Sequence, residues 1–277
     1  MPDPLVSVEN VSKTYEAGFL SRRPRVHALQ DVSFAIERGE AFGIVGESGS
    51  GKSTLGRIIL GLLPASGGVV RVRGQTVTGR SQRRLRPLRR YMQMVFQDPY
   101  SSLDPLRRVG DQIADPLRVH GPVPGETIEQ TTTRLLESVG LDAGCARRAP
   151  SSFSGGQRQR IAIARALATQ PELVIADEAV SALDVMVQVQ ILELLADLRR
   201  RTGMTLLFIS HDLEVVRYLC DRVCVMQHGR IVECGRTERV FAAPAHAYTA
   251  ELLAASPRLT PRAVAADRDS LRPSDSR

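Results

Sequence analysis

The chain has 277 residues, 43% of them hydrophobic, enough to bury a substantial core and unlike a small scaffold stapled by disulfides. Its formal charge of +7 is carried almost wholly by arginine, 35 residues against only two lysines, Lys13 and Lys52. No window reaches the roughly 18 unbroken apolar residues of a membrane helix, and the opening MPDPLVSVENVSK lacks the basic-then-apolar pattern of a secretory signal, so a cytoplasmic location is expected, with any membrane spans supplied by partners.

In chain order, the strand-like runs LVSVENV, HALQDVSFAI and GVVRVRG alternate with turn signals such as ERGE and SGG and predict an antiparallel sheet. Between the second and third, AFGIVG runs straight into a glycine loop and the helix KSTLGRIILGLL, expected to end near Pro64. The stretch SQRRLRPLRR (81–90) reads either as a patch for nucleic acid or anionic lipid or as a solvated face of an Arg-rich chain. The solvated reading is preferred, because no aromatic residue is interleaved before Tyr91.

From about 98 to 168 the texture turns helical, over 109–119, 126–139 and the run after SGGQ, which predicts a helical lobe inserted into the fold. Beyond it LVIAD, MTLLFIS and RVCVMQ alternate with VQVQILELLADLRRRTG and DLEVVRYLCD. Unbroken apolar strands separated by helices predict a parallel sheet covered on both faces. His228-Gly229 predicts a hairpin into RIVECG, PAHAYTAELLAASP reads as one more helix, and 258–277 has the composition of a flexible tail. Cys145, Cys220, Cys224 and Cys234 match neither zinc nor redox spacing and are expected to be small, buried, reduced thiols.

Three clusters carry chemistry. GESGSGKS, Gly46 to Ser53, fits G-x-x-x-x-G-K-[ST] between a strand and a helix: its glycines let backbone N–H groups wrap phosphates, Lys52 places a compact charge on the terminal ones, and Ser53 can offer its hydroxyl to Mg²⁺. Keeping lysine here in a chain that elsewhere uses arginine fits a tight loop, where a planar guanidinium cannot replace a point charge. LVIADE ends in two carboxylates. They read either as a helix start with favourable dipole contacts or, beside the glycine loop, as Asp177 holding Mg²⁺ and Glu178 polarising a water. SSFSGGQRQR places Ser154, Gly155, Gly156 and Gln157 at the head of a helical run, which makes a second anion site or an ordinary capped helix start.

Taken together, these residues resemble the ATP-binding-cassette family. FSGGQ is similar to its signature LSGGQ, and the order of GESGSGKS, FSGGQ and LVIADE is the family's. The resemblance implies an α/β fold: a P-loop NTPase (RecA-like) core with an antiparallel β subdomain and an inserted α-helical subdomain. It implies head-to-tail pairing with a second such ATPase subunit, identical or different, so that each SGGQ meets the γ-phosphate held by the other subunit's lysine loop. ATP and Mg²⁺ would be held by Gly46, Glu47, Ser48, Gly49, Ser50, Gly51, Lys52, Ser53 and Thr54, with Asp177 and Gln97 also at the metal. Glu178, His211 in FISHD and Gln97 in VFQDP match the family's catalytic positions, Asp184 in SALD the loop crossing the dimer interface, and Tyr15 in VSKTY the aromatic on which adenine stacks. Taken without the family, His211 is also a satisfied polar residue at a strand tip and Tyr15 ordinary core material.

Two departures are visible: Phe153 stands where leucine is usual, and Ala179-Val180 where many members have Pro-Thr. Since Glu178 is intact, a working ATPase is expected.

AGFLSRRPRVHAL, VFQDPYSSLDPLRRVGDQIADPL and PAHAYTAELLAASP resemble the oligopeptide, dipeptide and nickel importer branch, the last with Ala247 where proline is usual. No cysteine follows Cys234, so an iron–sulfur site seen in some members is not expected. The implied organisation is a nucleotide-binding domain over 1–240, a branch-type extension over 241–257 and the tail. The implied role is ATP-driven uptake of di- or oligopeptides on the cytoplasmic face of the membrane, with two membrane-spanning permease subunits, an external substrate-binding protein and no nucleic acid. A nickel or glutathione importer is the alternative. A DNA-repair or chromosome-organising ATPase would need a long coiled coil or zinc module before SGGQ, and a translation-associated one usually has two such domains.

Overall fold

The structure, a computed structural model, describes residues 3–16, 25–98 and 102–255. Parts of two stretches used above, 17–24 of AGFLSRRPRVHAL and 99–101 of VFQDPYSSLDPL, lie outside the described residues, as do 256–277 with the expected tail.

Two sheets form the frame. β1 (Val6–Tyr15), β2 (Val26–Ile36), β4 (Gly67–Val72) and β5 (Gln75–Thr76) make an antiparallel sheet in the order β2-β1-β4-β5. The second sheet runs β10-β9-β3-β8-β7-β6, from β3 (Ala41–Val45), β6 (Met92–Val95), β7 (Leu173–Asp177), β8 (Thr205–Ser210), β9 (Arg222–Gln227) and β10 (Arg230–Arg236). All its neighbours are parallel except the β9–β10 hairpin.

Every residue of β3, β7 and β8 is buried, which is why their sequences are continuous apolar runs and not alternating ones. The two-residue period is still present, in which core each side chain enters. Phe42, Ile44, Ile175, Leu207 and Ile209 join the cluster beneath the antiparallel sheet, whereas Ala41, Val45, Ala176, Leu206 and Phe208 join the cluster beneath the helices. Each large side chain so buried contributes about 1.5–3 kcal/mol.

The helices are α1 (Lys52–Ile59), α2 (Gln82–Arg89), α3 (Val109–His120), α4 (Ile128–Ser138), α5 (Gly155–Leu167), α6 (Val185–Thr202), α7 (Leu213–Leu219), α8 (Thr237–Ala242) and α9 (Ala247–Ala255). Between β6 and β7 stand α3, α4 and α5, and Val109, Ile113, Leu135, Leu136 and Ile161 pack between them. A capping box, Thr127 with Gln130, starts α4.

The arginine stretch forms α2, seated on the second core by Leu85 and Leu88 while Arg83, Arg84 and Arg86 are exposed as a solvated face. Two local expectations are corrected. α1 does not reach Pro64: it ends at Ile59, and Gly61 adopts a left-handed φ of 66° where a Cβ would come 2.5 Å from Leu85 Cδ1. Cys224 and Cys234 are joined by a disulfide, with only Cys145 and Cys220 as buried free thiols. The cause is an irregularity in the hairpin. Pairing proceeds from Arg230–Gln227 and Ile231–Met226, slips by one residue, and resumes at Glu233–Val225, which sets Cys234 directly opposite Cys224 with Cα atoms 4.1 Å apart. A spacing of ten residues in sequence does not reveal that slip.

The parallel strands all end on one side, so the segments after β3, β6, β7 and β8 meet there: Gly46–Ser53, Gln97, Glu178 and His211. This edge is where open parallel sheets place their ligands.

Candidate functional site

The loop after β3 depends on glycine at two points. Gly46 has φ 151°, and a Cβ on it would lie 2.1 Å from the Met226 carbonyl oxygen. Gly51 has φ 104°, and a Cβ would lie 2.4 Å from the Ala28 carbonyl oxygen. The loop is therefore pressed between β2 and β9, and the turn of the β9–β10 hairpin braces it, Gly229 N–H donating to the Ser50 carbonyl at 3.1 Å. Its tip, Glu47, Ser48 and Gly49, is exposed. α1 then begins behind Gly51 with no side-chain cap and no acidic residue in its first turn, leaving the N–H groups around Ser53 and Thr54 free of side-chain acceptors. Free N–H groups at a helix start suit an anion.

Lys52 is 3% exposed. Its Nζ donates to the carbonyl oxygens of Gly46 (2.7 Å) and Glu47 (2.8 Å) and to Ser50 Oγ (3.4 Å). Burial pushes its pKa down, while Glu178, Asp177 and Glu47 push it back up. A compact cation is thus held inside the loop by carbonyls that a phosphate can replace.

Asp177 ends β7 and is 5% exposed, and Ser53 Oγ donates to its Oδ1 at 2.7 Å. A hydroxyl and a carboxylate set side by side at the mouth of this loop are hard oxygen donors of the kind Mg²⁺ takes, so the pair fits that ion. Burial raises the Asp177 pKa, offset in part by the Ser53 bond. A carboxyl whose pKa is higher folded than unfolded contributes stability that is fully present below its unfolded pKa and is lost as pH rises through the folded value. Once ionised, the buried carboxylate is a cost. Asp177→Asn is accordingly expected to raise the unfolding midpoint of the Mg²⁺-free chain, in the pH range where Asp177 is ionised, by a few degrees, about 2–4 °C per kcal/mol relieved, while removing stabilisation by Mg²⁺ with nucleotide. Thermal scans with and without the ion measure both.

Glu178 departs from the strand with φ 49°, a left-handed conformation costly for a residue with a Cβ and of the kind that clusters at active sites. The kink is held by Glu178 N–H donating to the Ile209 carbonyl at 2.9 Å and by Ser181 N–H returning to the Glu178 carbonyl at 3.1 Å. The structure brings His211 to it, Nδ1 lying 3.5 Å from Glu178 Oε2. Glu178 and His211 therefore stand at the ends of adjacent strands, β7 and β8.

Other candidates stand apart. Gln97 is exposed two residues beyond β6, the strand that pairs with β7. Among the described residues it has no hydrogen bond to Ser53 or Asp177. Ser154 and Gln157 form a reciprocal capping box at the head of α5, and Gly155 and Gly156 open the helix. A Cβ on Gly156 would come 2.5 Å from Val187 Cγ1, so glycine there lets α5 abut the start of α6. Asp184 caps α6, accepting from Val187 N–H at 3.0 Å. Neither cluster bonds to 46–53 within one chain among the described residues. Tyr15, the last residue of β1, is 42% exposed, with Lys13 Nζ over its ring, 5.0 Å from the centre.

One contact was not legible in the motifs: Glu47 N–H, in the glycine loop, donates to the phenol oxygen of Tyr248 at 3.2 Å. The residues lie 201 positions apart, and only tertiary structure joins them.

Residues 29–181 match the family model described as ABC transporter. The chain is 50% identical over 260 residues to the probable peptide ABC transporter ATP-binding protein y4tS of Sinorhizobium fredii, covering 93% of this chain and 74% of that protein. It is also 50% identical over 262 residues to the glutathione import ATP-binding protein GsiA of Escherichia coli, covering 94% of this chain but 42% of that protein, so it spans less than half of GsiA. Among solved structures it is similar to the dimeric ATP-binding cassette MJ0796 bound to ADP and Pi, with TM-score 0.74, 32% identity, and coverage of 84% of this chain and 98% of that one. It is likewise similar to cbiO1 of Clostridium perfringens, part of the transporter complex cbiONQ, with TM-score 0.76, 30% identity, and coverage of 87% and 92%.

Proposed function

This chain belongs to the ABC transporter family as the ATP-binding, ATP-hydrolysing subunit of an importer, and on that premise we propose that it powers the uptake of di- or oligopeptides. The observation that carries the peptide reading is 50% identity to y4tS across 93% of the chain, a span that takes in the PAHAYT extension. A glutathione importer is the second reading, favoured by equal identity to GsiA. A nickel importer has only the branch resemblance behind it.

In the proposed cycle the loop N–H groups and Lys52 hold the triphosphate, and Tyr15 offers its ring to the adenine. Ser53, Asp177 and Gln97 would hold Mg²⁺, which when bound neutralises charge on the phosphate oxygens. Glu178 accepts the proton of the attacking water, and His211 orients that carboxylate and faces the terminal phosphate. Ser154, Gly155, Gly156 and Gln157 serve ATP held by a second ATPase subunit, identical or different. Asp184 stands at that interface, next to Val185 and Met186, which are exposed although apolar. Closure and opening of the dimer would be passed to two permease subunits, with cargo delivered by an external binding protein. A groove lined by Leu60, Leu62, Met94, Phe96 and Pro116 adjoins Gln97 and supports docking there. No helix among the described residues is long and apolar enough to cross a membrane, so attachment to the cytoplasmic face would be peripheral.

Fractionation tests the transport role. The chain is expected to sediment with membranes and to copurify with spanning proteins. Recovery in the soluble fraction with no spanning partner would count against it.

A further inference from the structure

We propose that Tyr248, in the C-terminal extension, is a positioning residue of the phosphate loop: its phenol oxygen fixes the Gly46–Glu47 peptide plane while Lys52 is shared with a phosphate. The inference rests on the reading of 46–53 as that loop.

A single peptide unit is gripped at both ends. Its carbonyl, on Gly46, accepts from Lys52 Nζ at 2.7 Å, and its N–H, on Glu47, donates to Tyr248 Oη at 3.2 Å. The Lys52 ammonium has three donors, spent here on two loop carbonyls and on Ser50 Oγ, and a bound phosphate must share them. A lysine so shared grips the Gly46 carbonyl less tightly, and the plane is flanked by a glycine whose lack of a Cβ makes rotation easy. Tyr248 is the grip on which a phosphate does not draw.

Tyr248 is itself fixed. Its side chain is 6% exposed and packs in the larger core. The segment before α9 is clamped by Glu233 of β10, whose carboxylate accepts from Ala245 N–H (2.9 Å) and His246 N–H (3.1 Å), and Tyr248 N–H donates to His246 Nδ1 at 3.2 Å. β10 pairs with β9, and β9 with β3, the strand that delivers the loop. The extension and the loop are therefore referenced to the same sheet, so the phenol oxygen is set in place before nucleotide arrives.

The test is Tyr248→Phe in the full chain, which keeps the buried ring and removes one oxygen, with Lys52→Ala alongside. ATP affinity is read by titration, turnover at saturating ATP, and amide exchange of the 44–50 segment in the nucleotide-bound state. The expected result is ATP binding weakened about three- to tenfold, the scale of one neutral hydrogen bond, with kcat little changed, a nucleotide-free unfolding midpoint lowered by no more than the few degrees that one hydrogen bond accounts for, and faster exchange at the loop. Unchanged affinity and exchange overturn the proposal. So does a fall in affinity that comes with a larger loss of the unfolding midpoint, since that marks a packing role. If Lys52→Ala binds ATP like the parent chain, the assignment of the phosphate loop has failed instead.

Discussion

Glu178→Gln is expected to lower ATP turnover by about 10²–10⁴-fold, the range for loss of a positioned general base, while leaving ATP binding intact. The amide matches the carboxylate in size and tolerates φ 49° no worse, so the kinked backbone and its bond to the Ile209 carbonyl should persist. What is lost is the capacity to take a proton from water. Binding that continues without hydrolysis should also hold the subunits together, and ATP should convert the variant to a persistent dimer by sedimentation velocity. Turnover at the parent rate would place the base elsewhere. His211, 3.5 Å away, would be the next candidate.

Lys52→Ala is expected to abolish tight ATP binding, a loss of about 10²-fold or more if charge-assisted bonds of roughly 1.5–3 kcal/mol each go unmade. The same change leaves the Gly46 and Glu47 carbonyls without their lysine donor, so the empty loop should loosen as well. Lys52→Arg separates charge from shape. A guanidinium restores the charge but not the compact ammonium that fits a nearly closed pocket, and it should rescue little. Nucleotide titration of the three chains decides the matter, and undiminished affinity in the alanine variant would remove this loop from the phosphate site.

Most of the frame is legible in the sequence because burial on two faces leaves a plain mark. LVIAD and TLLFIS are continuous apolar runs since each of their residues is buried between two cores. The loop is equally legible, because close backbone packing at Gly46 and Gly51 excludes any side chain. Features that depend on one register slip or one remote contact are not. The end of α1 turns on Gly61 meeting Leu85, the Cys224–Cys234 bond on a one-residue irregularity in the hairpin, and the tie of Tyr248 to the loop on a contact across the fold. Gln97 and the SGGQ cluster are visible as motifs, yet within a single chain they lack partners in the loop among the described residues. For SGGQ that is the arrangement a head-to-tail dimer would complete.

The most direct test of the account is uptake in cells lacking this gene, supplied with either the parent chain or Glu178→Gln. Labelled dipeptides, longer peptides, glutathione and Ni²⁺ would be offered in parallel. The account predicts that peptide uptake returns with the parent chain and not with the variant. Return of peptide uptake with both chains would contradict coupling to hydrolysis, and return of glutathione or Ni²⁺ uptake alone would contradict the peptide assignment.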